Sequence, residues 1–116
     1  MAIWKLGFVS ACAALAMCGS AAAQSFDCAK ASKPDEKAIC DSRELANLDV
    51  KNATLYEVMT NLVAMGVRGD QQDAERAFLE KRSACGADTS CIASAYQARI
   101  AEIQGILKGI YQNGPY

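Results

Sequence analysis

Apolar residues recur at helical spacing along most of the chain, and the spacing predicts where helices begin and end. Leu45, Leu48, Leu55, Met59 and Leu62 step by 3, 7, 4 and 3, which places them on one face of a long helix. Asp41-Ser42 offers that helix a cap, and Gly66 and Gly69 are expected to end it. A shorter helix is predicted from about Asp70 to Cys85. Its apolar stripe is Ala74, Ala77, Phe78 and Leu79, its cap Asp70, and Lys81-Arg82 near its far end suits the helix dipole. A further helix begins near Thr89-Ser90, where Ile92, Tyr96, Ile100, Ile103, Leu107 and Ile110 step by 4, 4, 3, 4 and 3. Asn113-Gly114-Pro115 closes it. Upstream, Ser32-Lys33-Pro34-Asp35-Glu36 reads as the start of a short helix ending near Cys40, with proline at the first position and acids in the first turn. Period-2 alternation is missing, so no strand is expected. Short links, Gly66 to Gly69 and Gly86 to Thr89, favour antiparallel neighbours. The expected fold is all-α: a small antiparallel three-helix bundle, up-down-up, with an N-terminal arm from Gln24 to Cys40.

The first 23 residues follow a different pattern. Lys5 is the only charge before Asp27, Leu6 to Met17 is apolar or small, and Ala21-Ala22-Ala23-Gln24 supplies a small-x-small cleavage site. This is the tripartite arrangement of a secretory signal peptide, with cleavage expected after Ala23. The apolar run falls short of the ~20 residues that span a bilayer. Val9-Ser10-Ala11-Cys12 comes too early for lipid attachment, and Leu15-Ala16-Met17-Cys18 has bulky Met17 where a small residue is wanted. The expected organisation is a signal peptide over 1–23 and one helical domain over 24–116, periplasmic or secreted rather than lipid-anchored, with no membrane span of its own.

Export changes the reading of the cysteines. Cys12 and Cys18 leave with the signal, and Cys28, Cys40, Cys85 and Cys91 remain. An even set in a small exported chain reads as two disulfides. Neither spacing is the C-x2-C of a zinc site. Four cysteines allow three pairings. The local one, Cys28–Cys40 and Cys85–Cys91, is favoured because Gly86-Ala87-Asp88-Thr89-Ser90 is turn-rich and reverses the chain between the second pair. The rival pairings stay open. Each short loop closed this way adds about 2–3 kcal/mol on the chain-entropy model.

Composition narrows the chemistry. The chain carries 12 Lys+Arg against 13 Asp+Glu, a net charge of −1, and no histidine. Without a basic excess, nucleic acid is not an expected partner. Without histidine, Ser-His-Asp and Cys-His catalysis and His-ligated metals are excluded. No cofactor or metal is expected. Glu57, Glu75, Glu80 and Glu102 supply carboxylates, but glycosidase chemistry needs two facing each other across a cleft, and a bundle this small offers little cleft. An enzyme is not expected.

Taken together, these residues resemble the small exported family named after the lysozyme inhibitor LprI, the LprI N-terminal-like domain. The matching run is Cys28, Glu36-Lys37-Ala38-Ile39-Cys40, Leu45-Ala46-Asn47-Leu48-Asp49 and Tyr56. It continues through Ala77-Phe78-Leu79, Arg82, Cys85-Gly86, Cys91, Tyr96 and Arg99-Ile100. The resemblance covers about Phe26 to Leu107; Phe78 stands where the family often has Trp, and Glu75 lies near a frequent Gln. It implies an exported protein-binding module that inhibits a lysozyme by surface occlusion. The alternative is an envelope structural or stress-related protein without inhibitory activity.

Several residues have two readings. Asp49 and Arg82 fall toward the cysteine-bearing end of antiparallel helices, as an ion pair orienting the arm or as two solvated charges. Tyr56 and Tyr96 are expected in the core with hydroxyls at its rim rather than as partner anchors, and Phe78, Met59 and Met65 likewise in the core. Asp35, Glu36, Asp41 and Glu44 form an acidic arm able to meet the basic surface of a lysozyme or another envelope protein. Lys30, Lys33, Lys37 and Arg43 are interleaved with them and weaken that field.

Overall fold

The computed structural model describes residues 24–113; the expected signal peptide lies outside them. Four α-helices follow a short 3₁₀ turn at Cys28–Lys30: α1 (Pro34–Asp41), α2 (Arg43–Leu62), α3 (Met65–Ala84) and α4 (Thr89–Asn113). The fold is all-α, as the spacing predicts, with three long helices and an arm that holds the 3₁₀ turn and α1. No strand occurs among the described residues.

Local chemistry explains most boundaries. Pro34 opens α1, and the Glu36 carboxylate reaches back to accept from Ser32 N and Lys33 N. Ser42 is extended, which breaks α1 from α2, and its hydroxyl accepts from Leu45 N at 3.3 Å. Gly86 takes φ +59°, the left-handed conformation that ends a helix without a Cβ penalty. The Asp88 carboxylate then caps α4 by accepting from Cys91 N at 3.1 Å.

The link between α2 and α3 corrects the expectation. It is Val63-Ala64, two extended residues, and α3 begins at Met65 rather than near Asp70. Gly66 and Gly69 lie inside the first turns of α3, and neither has a positive φ. Glycine stops a helix when it takes the left-handed region; these two do not. Asp70 is thus a helical residue and not a cap. The α3 N-terminus has no side-chain cap, and the Arg68 Nε instead serves the preceding helix, donating to Thr60 O at 2.7 Å in the last turn of α2.

Contacts set the directions. Asp49 and Asn52 of α2 meet Arg82 and Glu75 of α3, in reverse order, so those helices run antiparallel. Phe78 meets Tyr96 and Glu75 meets Arg99, so α3 and α4 also run antiparallel. α2 and α4 are parallel neighbours. Toward the arm, Ile39, Leu45, Phe78, Ile92, Ala95, Tyr96 and Ile100 form one apolar cluster. Toward the other end, Met59, Ile103 and Leu107 form a second, with Leu55 touching both.

Two disulfides staple this body, Cys28–Cys40 with Cα atoms 5.9 Å apart and Cys85–Cys91 with Cα atoms 5.6 Å apart. The local pairing is the one formed. The first fastens the 3₁₀ turn to the end of α1; the second closes the link between α3 and α4. No helix among the described residues is long and apolar enough to cross a membrane.

Candidate functional site: a buried charge cluster under the arm

Among the described residues, five polar or charged groups are buried: Asp35, Asp49, Asn52, Arg82 and Arg99. Charges this deep are costly unless paired, so their partners explain the site. They fall into two clusters.

The first joins the arm to all three long helices. Arg82 of α3 donates from Nε to Asp35 Oδ2 at 2.8 Å and from Nη1 to the Tyr96 hydroxyl at 3.0 Å. That hydroxyl donates onward to Asp49 Oδ1 at 2.8 Å. Ser25, on the arm, donates to both oxygens of Asp49, from its backbone N at 2.5 Å and from Oγ at 2.7 Å. The Phe26 ring sits over the Arg82 guanidinium at 5.6 Å, and the Tyr96 ring lies at 5.9 Å. Burial opposes the Arg82 charge, but Tyr96 and Asp35 outweigh it and hold the guanidinium above its ordinary pKa. Burial pushes the Tyr96 phenol up; the Asp49 carboxylate adds to this and Arg82 opposes it.

The second cluster centres on Arg99 of α4. Its Nε donates to Glu75 Oε2 at 2.8 Å, Nη1 to Gln71 Oε1 and Glu102 Oε2, and Nη2 to the Gln71 carbonyl. Glu75 Oε1 accepts from Asn52 Nδ2 at 2.8 Å. This chain of bonds ties α2, α3 and α4 together at mid-height.

The structure thus places Asp49 and Arg82 together, 4.0 Å apart and both buried, with Tyr96 as the closer bridge between them. Asp35 is a correction. It does not belong to an acidic surface, because it is 1% exposed and bonded to Arg82. Glu36 is half-buried and engaged in capping α1. Asp41 and Glu44 remain exposed, on the walls of two concavities of about 520 and 220 Å³ that share Ser42 and Thr89. Tyr96 is fully buried and Tyr56 half-buried, and Phe78 and Met59 are in the core. Met65 is not: at 84% exposure it stands at the start of α3 in solvent. Leu79 is likewise exposed, because the buried face of α3 is set by Phe78, Arg82 and Glu75 rather than by an apolar stripe, and Leu62 is exposed at the end of α2, beyond the second apolar cluster.

Sequence reasoning missed the Arg99 cluster. The available signal was the position of Arg99, which lies on the Ile92, Tyr96, Ile103 face of α4 where an apolar residue is expected. Chemically, both clusters act as clamps: Arg82 bonds Asp35 of the arm and Tyr96 of α4, while Arg99 grips Glu75 and Gln71 of α3, with Asn52 of α2 joined through Glu75. No family model matches the chain, and no curated protein or solved structure is significantly similar to it.

Proposed function

We propose that this chain is an exported protein-binding module that acts by surface contact, and that its partner is a lysozyme, which it occludes. The observation that carries the reading is the pair of buried clamps combined with two disulfides. Together they hold a small helical body in one shape, so its surface is set before any partner arrives. A preorganised surface loses less freedom on association and binds more tightly for the same area. The partner class comes from the resemblance to the LprI N-terminal-like family. Exposed Asp41 and Glu44 beside the concavities at the disulfide end offer carboxylates to a basic protein and steer its approach. A standard complex buries about 800 Å² per partner, which one face of this bundle can supply.

The test is direct. The full chain, exported and processed by the expressing cell, is mixed with c-type, g-type and i-type lysozymes, and lysis and co-elution are followed together. Slowed lysis with a co-eluting complex at micromolar concentration supports the reading. Unchanged lysis with no complex removes those lysozymes as partners. Cell-wall hydrolysis by the chain alone overturns the binding-module reading itself.

A further inference from the structure

The arm closes the first clamp, and one covalent tie governs the arm. Ser25 and Phe26 precede Cys28, and Asp35 lies between Cys28 and Cys40. These three residues supply the hydrogen bonds to both Asp49 oxygens, the ring over Arg82, and the carboxylate on Arg82 Nε. The 3₁₀ turn that carries Cys28 is packed on α1, and the Cys28–Cys40 bridge fastens it there across 12 positions. Ser25 and Phe26 therefore reach the cluster from a turn held in place by that bridge. The rest of the bundle has its own supports: Met59, Ile103 and Leu107 pack away from the arm, and Arg99 with Glu75 joins α4 to α3.

We propose that the Cys28–Cys40 disulfide is a redox latch on the arm. Oxidised, it holds Ser25, Phe26 and Asp35 over Arg82 and Asp49. Reduced, it lets the arm leave and opens that charge cluster to water, while α2, α3 and α4 stay packed. Closing the latch removes two electrons and two protons from the two thiols. They pass to a disulfide oxidant through a mixed disulfide, which the second thiol resolves, and a dithiol reductant reverses the exchange. The polar bonds the arm makes are to charges that water solvates once the cover is gone, and the contact that opposes opening is apolar: Ile39 of α1, fully buried in the arm-side cluster. The latch needs no partner protein to be tested, but it bears on the lysozyme reading, since Pro34, Lys37, Ala38 and Asp41 of α1 line the concavity beside which the carboxylates stand.

Amide hydrogen exchange on the full processed chain tests it, comparing the parent with Cys28→Ser/Cys40→Ser and with Cys85→Ser/Cys91→Ser. In the first pair, exchange at Ser25 and across α1 is expected to rise at least about tenfold, as for a separable low-stability unit. Helical circular dichroism and the protection of Ile100 and Ile103 should persist. The parent treated with a dithiol should show the same pattern, and oxidised glutathione should reverse it. The Cys85→Ser/Cys91→Ser pair should keep the arm protected. An arm that stays protected without the Cys28–Cys40 bridge overturns the proposal. So does loss of the helical signal in that variant, since the bridge would then support the whole bundle. Equal loosening by both pairs overturns it as well.

Discussion

Arg82 and Asp35 are 47 positions apart in the chain, and their side chains meet at 2.8 Å in the interior. Through this contact the arm and α3 share one buried charge. Tyr96 and Asp49 extend it to α4 and α2, so four segments converge on a single guanidinium. The relationship is unforgiving of truncation, because each carboxylate is buried on the assumption that Arg82 is present.

Arg82→Ala should be among the most destabilising single changes in the chain. It leaves Asp35 and Asp49 buried without their cation, a loss of about 3–5 kcal/mol for a broken buried pair. Arg82→Lys should recover only part of this, since an ammonium cannot reach Asp35 and Tyr96 with two fixed N–H groups. Urea unfolding of the three proteins checks the order.

Stability should fall at alkaline pH through Tyr96. Its phenol is held above the ordinary value in the folded state, first by burial and then by Asp49. The unfolded chain releases that proton near pH 10 while the folded chain keeps it, so the unfolded state binds fewer protons and stability declines as pH rises. The contribution is full below about pH 10 and is lost above it. Urea midpoints across this range should show the decline, and Tyr96→Phe should remove that part of the slope. The same variant should be weaker at neutral pH by about 1–3 kcal/mol, because Arg82 Nη1 and Asp49 each lose a hydrogen bond.

The Arg99–Glu75 pair should show strong coupling in a double-mutant cycle. Arg99→Ala leaves Glu75 with only Asn52, and Glu75→Ala leaves Arg99 with Gln71 and Glu102. The interaction energy should lie in the upper part of the ~0.5–3 kcal/mol range for contacting residues, above the ~1 kcal/mol that exposed pairs reach. The joint replacement Arg99→Met/Glu75→Leu should be far milder than either truncation, because an apolar pair of similar volume avoids the desolvation cost.

Two glycines should respond with opposite signs. Gly105 lies within α4 with open space where a Cβ would go, so Gly105→Ala should stabilise by about 0.5–1 kcal/mol. Gly86 also has open space, but its φ of +59° carries the strain, so Gly86→Ala should destabilise by about 1–2 kcal/mol. Thermal unfolding of the pair checks whether backbone conformation or crowding decides.

The residues most legible in the sequence were those of α4. Ile92, Tyr96, Ile100, Ile103 and Leu107 keep helical spacing over four turns, and all five are buried. The α2 face was read well through Leu45 and Met59 but overextended at Leu62, which lies beyond the second apolar cluster and is half exposed. The start of α3 was not legible. Gly66 and Gly69 carry the usual stop signal, and only their negative φ reveals that the helix runs through them. Asp35 was hidden for a similar reason: an acid in the first turn of a helix looks like a dipole partner in water until α3 brings Arg82 against it.

Unaided, the amino-acid order determined the all-helical class, the three long segments and the turn that reverses the chain after Ala84. Each follows from spacing and backbone preference within a few residues, and needs no knowledge of what lies alongside. It also favoured the local cysteine pairing, Cys28–Cys40 and Cys85–Cys91, while leaving its two rivals open. The tertiary structure decided which pairing forms, which charges go inside, and that Asp35, Asp49, Tyr96 and Arg82 become one cluster. Burial belongs to the neighbours a residue acquires, and those neighbours come from segments tens of positions away.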